Sequence, residues 1–144
     1  MPVGNWIYDA QVALARLFSA TFRYALISLL EIASSEEGVN AAELARRHQV
    51  SVAYLSNVLS ELKRLGLIKS QKGRRGGYQL MKPPGEIDLL RLHQGLAGSP
   101  PLLTGSSTNP ALLWLDGLEL RWQQQLASTT LLEVQAQVAA AGQP

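Results

Sequence analysis

Residues 40–80 place the tightest limit on the fold, because they combine two helix-capping signals with a basic, glycine-rich loop. Asn40 precedes the short helical pattern AAELARRH, and Ser51 precedes a second helical pattern over residues 52–65. Asn and Ser are favoured before a helix because their side chains accept a hydrogen bond from a free backbone N–H. Two residues, QV, separate the first helix from Ser51, and this spacing predicts a helix-turn-helix.

The second helical pattern has two unlike faces. Its apolar stripe, at three- and four-residue spacing, consists of Leu55, Val58, Leu59, Leu62 and Leu65,. The opposite face is small and polar and consists of Ala53, Asn57, Ser60 and Arg64, with Tyr54 and Ser56 on its flanks. Gly66 is expected to end the helix, because glycine adopts the left-handed conformation common after helix C-termini. The polar face is therefore expected to point outward.

A β-hairpin with a basic tip is predicted next. LIKS and YQLMK alternate as strands do, and the residues between them, QKGRRGG at 71–77, are rich in the glycine and charge of a tight loop,. The order of helix, short helix, turn, helix and basic hairpin predicts a winged helix-turn-helix. We therefore expect a mainly α fold with a two-stranded β wing.

Positive charge is concentrated in the same part of the chain. Residues 46–82 hold nine basic residues and one acid, Glu61, whereas the rest of the 144 residues hold four basic and ten acidic ones. The net charge of +2 conceals this contrast. Such a concentration is the electrostatic signature of polyanion binding, and a basic face that serves only solubility is the alternative.

Fold and charge together predict DNA binding. The second helix of a helix-turn-helix enters the major groove N-terminus first, and a basic wing suits the adjoining minor groove or its phosphates. The predicted contact residues are Ser51, Ala53, Tyr54, Ser56 and Asn57 in the recognition helix 52–65, and Lys72, Arg74 and Arg75 in the wing 71–77. Asn57 is the best base reader, since its amide both accepts from and donates to adenine. Each helix residue also has a structural interpretation, as a cap, as packing or as a solvated group.

The chain on either side of this unit is predicted to be helical. Before it, residues 1–18 form a helical arm whose apolar residues follow a helical period, namely Trp6, Ile7, Ala10, Val12, Ala13, Leu14 and Leu17,. After it, residues 89–96 form a helix and residues 97–108 a loop by composition,. The sequence thus divides into the arm 1–18, the winged helix-turn-helix 19–86 and a helical region 87–144.

Cap signals mark the helices of the last region. Asp88 caps the helix that follows it, and the pair Asn109 and Pro110 opens a long helix to Ala127,. Thr130 with Glu133 forms a capping box for a final helix,. Two tryptophans of the long helix, Trp114 and Trp122, are expected to pack at a dimer interface, with an effector pocket as the alternative.

The stretches RYALISLLEIA (23–33), AAELARRHQVSVAYLSNVLSELKRLGLIKS (41–70) and KGRRGGYQL (72–80) resemble the Rrf2 family of bacterial winged-helix transcription regulators. The resemblance covers about residues 19–98. It implies a homodimeric repressor or activator of double-stranded DNA, with the long helix 111–127 crossing to the partner subunit as a dimerisation helix. It also assigns Arg23 and Tyr24 to the first helix, Tyr54 and Leu55 to the recognition helix, and Gly73, Gly76, Gly77 and Tyr78 to the wing.

The chain departs from this family's pattern in three places. Many members hold an iron- or redox-sensing cluster with three cysteines in the loop before the long helix, whereas this chain has no cysteine. We therefore expect a clusterless member without cofactor or metal, whose signal is a small-molecule effector of unknown identity, a partner protein or none. Ser56 stands where a glutamate is frequent, and Lys72 where an arginine is frequent, so the family's base preference is not carried over.

Other classes of function find little support. No apolar run approaches the roughly 20 residues of a membrane span, and the first residues lack the pattern of a secretory signal, so a cytoplasmic protein is expected. His48 and His93 lack clustered ligands, the RRGGY loop lacks nucleotide-loop spacing, and no nucleophile elbow is present,. An enzyme is therefore not expected. The alternative function is a winged-helix protein-interaction adaptor without specific DNA binding.

Overall fold

The computed structural model describes residues 18–72, 76–97 and 108–142. Within these ranges the elements are, in chain order, α1 (Ala20–Ser34), α2 (Ala41–His48), α3 (Val52–Arg64), β1 (Ile68–Gln71), β2 (Gly77–Leu80), α4 (Leu89–Ala97), α5 (Pro110–Ala127) and α6 (Leu131–Ala141), with a 3-10 turn at Pro84–Glu86. The predicted winged helix-turn-helix with a two-stranded wing is confirmed. The arm before Phe18, the wing residues 73–75 and loop residues 98–107 lie outside the described residues.

The helices begin where the cap signals predicted. The side chain of Asn40 accepts a hydrogen bond from the backbone N–H of Glu43 at 2.8 Å, and Asp88 accepts one from the N–H of Arg91 at the same distance. Ser51, Asn109 and Thr130 cap α3, α5 and α6 in the same way. Each such bond satisfies a backbone donor that the helix itself leaves free.

One apolar core joins the winged unit to the C-terminal helices. Its buried members include Leu29 of α1, four residues of the α3 stripe, Ile68 at the start of the wing, Leu92 of α4 and Leu131 of α6. Burying each of these side chains contributes about 1.5–3 kcal/mol to folding. The α3 stripe is buried as predicted, with Leu65 half-buried just beyond the helix end. The outward direction of the other α3 face follows from this packing.

The wing is a short antiparallel hairpin held at its base by a third segment. Ile68 pairs with Leu80, and Gln71 pairs with Gly77 as the last pair before the tip. The prediction that Gln71 and Gly77 belong to the loop is therefore wrong, because both complete the ladder. The backbone N–H of Tyr78 also donates to the carbonyl of Val39 at 3.0 Å. A Cβ at Gly77 would lie 2.9 Å from the nitrogen of Val39, so this close approach requires glycine,.

A pair of backbone hydrogen bonds closes the C-terminal region onto the winged unit. The N–H of Leu131 donates to the carbonyl of Ile87 at 2.8 Å, and the N–H of Leu89 donates to the carbonyl of Thr129 at 3.0 Å. The starts of α4 and α6 therefore lie side by side. This pairing could not be predicted from the sequence, since it joins residues 40 and 44 positions apart.

Helix α5 extends away from the core. Of its residues, all of which the structure describes, Leu126 alone is buried, and Trp122 is half-buried. Its exposed large apolar residues are Leu112, Leu113, Trp114, Leu115, Leu118 and Leu120. In the part of the chain that the structure describes, no helix is long and apolar enough to cross a membrane.

Candidate nucleic-acid interface

The outward side of α3 presents a small, polar surface. Ala53, Asn57 and Ser60 are exposed, Ser56 is half-exposed, and the apolar stripe on the other side is buried. We call these three exposed residues the reading face. Because none of them is large, the backbone of α3 can approach another surface closely.

Ser51 lies at the start of α3 and acts as its cap. Its Oγ accepts a hydrogen bond from the backbone N–H of Tyr54 at 3.0 Å. The structural interpretation of Ser51 is thus correct. The residue is nevertheless exposed, and a capping hydroxyl still carries a proton that it can donate to an acceptor outside the protein,.

Tyr54 points into the protein rather than toward solvent. Its ring packs edge-on against the ring of Tyr24, with centroids 5.7 Å apart and an interplanar angle of 86°. Its hydroxyl is buried and has no hydrogen-bond partner within the described residues. This position favours the packing interpretation of Tyr54 over a direct contact with a phosphate.

The C-terminal end of α3 is fixed to α4. The guanidinium of Arg64 donates to the carboxylate of Glu61 at 2.6 Å and to the carbonyl of Gly95 at 3.1 Å. A Cβ at Gly95 would lie 2.7 Å from the Leu65 side chain, so the missing side chain lets Leu65 pack directly on the α4 backbone. Arg64, which the sequence places on the outward face, therefore holds the recognition helix against the C-terminal region.

The arginines of α2 are engaged within the protein. Arg46 donates to Glu43 at 2.7 Å, and Arg47 donates to Glu43 at 3.0 Å and to Glu31 at 3.1 Å. The hydrogen bonds that Arg46 and Arg47 donate lower the pKa of Glu43. Donation to Glu43 raises the pKa of Arg46, and donation to Glu31 and Glu43 raises the pKa of Arg47. The concentration of basic residues counted along the sequence therefore overstates the positive charge available to a ligand.

Lysines of the wing supply charge that remains available. Lys72 is exposed at the edge of the tip, and Lys69 is exposed on β1, and neither forms an ion pair within the ranges described. Lys63 instead donates to the hydroxyl of Ser70 at 3.1 Å, which links α3 to β1. The predicted residues Arg74 and Arg75 lie outside the described residues. Sequence reasoning missed Lys69, although it follows the buried Ile68 in an alternating strand and so had to face outward.

Both histidines contact other side chains of the protein. His48 Nε2 lies 2.8 Å from Glu31 Oε1, which joins the end of α2 to α1. The ring of His93 packs edge-on against Trp122 and Phe22, with centroids 5.0 and 5.4 Å away. Trp122 therefore packs within its own chain, whereas Trp114 is 63% exposed.

Comparison with known proteins gives consistent matches. The model of the Rrf2 family, described as an iron-dependent transcriptional regulator, matches residues 18–137. The transcriptional regulator IscR of Cereibacter sphaeroides is 36% identical over 69 residues, which are 45% of this chain and 44% of that protein. The chain spans about half the length of the curated relatives it matches.

Two solved structures resemble the fold over most of the chain. IscR of T. potens has a TM-score of 0.77 at 24% identity and covers 92% of this chain and 95% of its own. CymR, the global cysteine regulator of B. subtilis, has a TM-score of 0.68 at 28% identity and covers 85% of this chain and 98% of its own. The names of these relatives agree with the expectation that the chain is a regulator and not an enzyme.

The iron named in the family description does not fit the donors of this chain. Cysteine is absent from the whole sequence, and residues 98–107, GSPPLLTGSS, contain no His, Asp or Glu either. Across the described ranges, no group of three or more His, Cys, Asp or Glu side chains is placed to hold a metal ion. Iron sites in proteins are built from thiolate, imidazole and carboxylate ligands, so we assign no iron chemistry to this chain.

Proposed function

Because the chain belongs to the Rrf2 family of transcriptional regulators, we propose that it binds double-stranded DNA sequence-specifically as a homodimer. Helix α3 enters the major groove, and the wing contacts the adjoining minor groove or its phosphates. One observation carries the proposal: α3 buries Leu55, Val58, Leu59 and Leu62 against the core and leaves the small residues Ala53, Asn57 and Ser60 exposed on its other side. In this assignment residues 19–86 bind DNA and residues 87–144 form the dimer.

Base recognition is assigned to the N-terminal half of α3. Asn57 makes the most specific contact, because its amide pairs with both the donor and the acceptor of adenine in the major groove. Ser51 and Ser56 donate hydrogen bonds to bases or phosphates, and Ala53 gives a close apolar contact. Tyr54 acts indirectly, since its ring against Tyr24 sets the position of the helix start.

Affinity for the phosphate backbone is assigned to the wing. Lys69 and Lys72 contact phosphates, and Arg74 and Arg75 at the tip complete the positive surface. Each phosphate that these groups neutralise releases condensed counterions, so binding is expected to weaken steeply as salt rises. Arg46 and Arg47 contribute less, because Glu43 and Glu31 already neutralise them.

The dimer is assigned to α5. Leu113, Gly117, Leu120 and Gln124, spaced four, three and four residues apart, form one side of the helix, which we call the dimer seam,. Leu113 and Leu120 are each 54% exposed, and a Cβ at Gly117 would meet nothing within 4 Å. Two copies of α5 therefore cross near Gly117, where the backbones approach most closely. The dimer presents two copies of α3 to half-sites about 34 Å apart.

The relatives' names favour a regulator over the protein-interaction adaptor. A direct test is fluorescence anisotropy with a duplex of random sequence at low salt, followed by selection of bound fragments from genomic DNA. We expect binding to the random duplex that falls steeply with salt, and enrichment of a motif with two-fold symmetry. Absence of low-salt binding would contradict the proposal and support the adaptor. The DNA partner implies a cytoplasmic location.

A further inference from the structure

Helix α4 lies between α5 and the recognition helix α3 and contacts both. Its residues His93 and Gly95 are two positions apart, which is about 200° around the helix axis, so they face opposite sides,. The ring of His93 packs on that of Trp122 in α5, with centroids 5.0 Å apart. The carbonyl of Gly95 accepts a hydrogen bond from Arg64 at the end of α3. Helix α4 therefore connects α5 to α3.

The start of α4 is held close to the end of α5. The backbone N–H of Leu89, the first residue of α4, donates to the carbonyl of Thr129, which lies two residues beyond the end of α5. Leu92, in the middle of α4, is only 1% exposed. A helix that is bonded at its start and buried in its middle has little freedom to move relative to α5.

The guanidinium of Arg64 joins the other end of α4 to α3. Its Nη2 donates to Glu61 Oε2 at 2.6 Å and to the carbonyl of Gly95 at 3.1 Å, and its Nε donates to the same carboxylate oxygen at 3.0 Å. The carboxylate therefore fixes the direction in which the guanidinium points toward α4. Leu65 occupies the space beside Gly95 that a Cβ would need. The hydrogen bond and the packing contact thus act on the same residue of α4.

This joint lies at the opposite end of α3 from the residues assigned to base recognition. The 13 residues of α3 span about 20 Å,. A tilt of about 10° around the C-terminal end would move the N-terminal end by about 3.5 Å, which is close to the rise of one base pair. A small change at the joint is therefore large enough to change which base pairs the two recognition helices reach.

We propose that Arg64 is a positioning residue: by fixing the end of α3 to α4, it sets the separation of the two recognition helices in the dimer. It thereby sets the spacing between half-sites that the protein accepts. The DNA part of this inference rests on the proposed function, whereas the fixed position of α3 relative to α5 is a property of the free protein. Arg64 is 58% exposed, so its replacement should leave the protein folded,.

The DNA test uses the motif selected from genomic fragments, with its natural spacing and with one base pair added or removed between the half-sites. The wild type should prefer the natural spacing at least tenfold. Arg64→Gln, which removes the guanidinium, and Gly95→Ala, whose Cβ displaces Leu65, should each reduce this preference to threefold or less. Lys63→Gln is the matched control, because it removes a positive charge from the same helix end but contacts Ser70 and not α4. It should keep the preference of the wild type.

A direct contact between Arg64 and a phosphate would give a different pattern. Arg64→Gln would then weaken all duplexes alike and reduce the slope of log affinity against log salt by about 1 per subunit, and Gly95→Ala would bind as the wild type does. That pattern overturns the proposal. A tenfold spacing preference retained by both variants overturns it as well.

A second measurement is made without DNA, so its failure is distinct from a failure of the proposed function. Because the chain has no cysteine, Ser60→Cys in α3 with Arg121→Cys in α5 places two nitroxide labels at chosen positions. Labelled chains are diluted in unlabelled ones, and pulsed electron paramagnetic resonance then reports the distance within one chain.

We expect a narrow distribution of this distance, which Arg64→Gln widens at least twofold and Lys63→Gln leaves unchanged. Equal widths in the three proteins overturn the proposal even if the protein binds DNA. If the wild type binds no DNA, the proposed function fails, and the widths alone decide whether Arg64 positions α3.

Discussion

Helices α3 and α5 each bury one side against the protein, but their exposed sides differ in kind. The reading face of α3 consists of small residues, two of which form hydrogen bonds with water as readily as with a ligand. The exposed side of α5 carries Leu113, Trp114 and Leu120, whose apolar surface costs about 25 cal/mol per Å² when it stays in water,. The exposed side of the first helix therefore suits contact with water or a polar ligand, whereas that of the second favours contact with another apolar surface. This difference supports the proposal that α3 binds nucleic acid and α5 binds a second copy of the chain.

The largest expected effect on this difference between α3 and α5 comes from making the dimer seam polar, which should weaken the dimer. In Leu113→Asp with Leu120→Asp, both copies lose two leucines that the proposed dimer would bury. Each is 54% exposed in the single chain, so its burial contributes about half of the usual 1.5–3 kcal/mol, and the dimer should weaken by about 3 kcal/mol or more,. Sedimentation equilibrium should then report a folded monomer at micromolar concentration. Gln123→Asp, on the polar side of α5, is the control and should remain dimeric. A double variant that sediments as a dimer would place the interface elsewhere.

The next effect tests the wing. Arg74→Ala with Arg75→Ala should weaken binding to specific and random duplexes alike, by tenfold or more, and should reduce the slope of log affinity against log salt by about 2 per subunit. Arg46→Ala is the matched control, because Glu43 already pairs with that guanidinium. Equal salt slopes for the wing variant and the wild type would remove the wing from the interface.

A smaller and more selective effect tests the reading face. Asn57→Ala should cost about 1–3 kcal/mol on the preferred site and relax the preference at one base position, because a bidentate contact is lost. Ser60→Ala, one turn further from the helix start, should change neither quantity much. Binding measured on a panel of single-base variants of the site distinguishes the two. A uniform loss over the panel would show that Asn57 contacts the backbone.

The sequence was sufficient for those features of α3 and α5 that depend on near neighbours. Caps such as Ser51, the buried stripe and the outward face follow from spacing along one helix. The ion pair between Arg47 and Glu31 could not be predicted from the sequence, since the two residues lie 16 positions apart and meet only after α1 and α2 pack. For the same reason the inward position of the Tyr54 hydroxyl depends on Tyr24, thirty residues earlier.

A still smaller effect concerns the α2 ion pairs. Hydrogen bonds from Arg46 and Arg47 hold the pKa of Glu43 below its ordinary value of 4.5. A carboxylate with a lowered pKa stabilises the fold above its unfolded-state pKa, and this contribution is lost as the pH falls through the lowered value. The Tm of the wild type should therefore fall more steeply than that of Glu43→Gln below about pH 4.5. Parallel Tm curves for the two proteins between pH 6 and 3 would contradict this role.

The last prediction is that iron has no effect on this protein. Anaerobic incubation with ferrous iron and sulfide should produce no cluster absorbance, and neither iron nor a chelator should change the affinity for DNA, because the chain lacks thiolate donors. The CymR and IscR structures share the fold of this chain. A shared fold does not determine which metal-binding side chains a protein carries. A visible charge-transfer band, or a shift in affinity on adding iron, would contradict this expectation.

The paired hydrogen bonds between Ile87 and Leu131 and between Leu89 and Thr129 make the chain between residues 89 and 129 an excursion that returns to its starting point. Neither bond involves residues 98–107, so we expect insertions or deletions there to leave both bonds in place. We therefore expect a change in length there to leave α6 and the core beneath it in place. This excursion is the part of the molecule where new chemistry can be introduced, by evolution or by design, at least cost to the unit that recognises DNA.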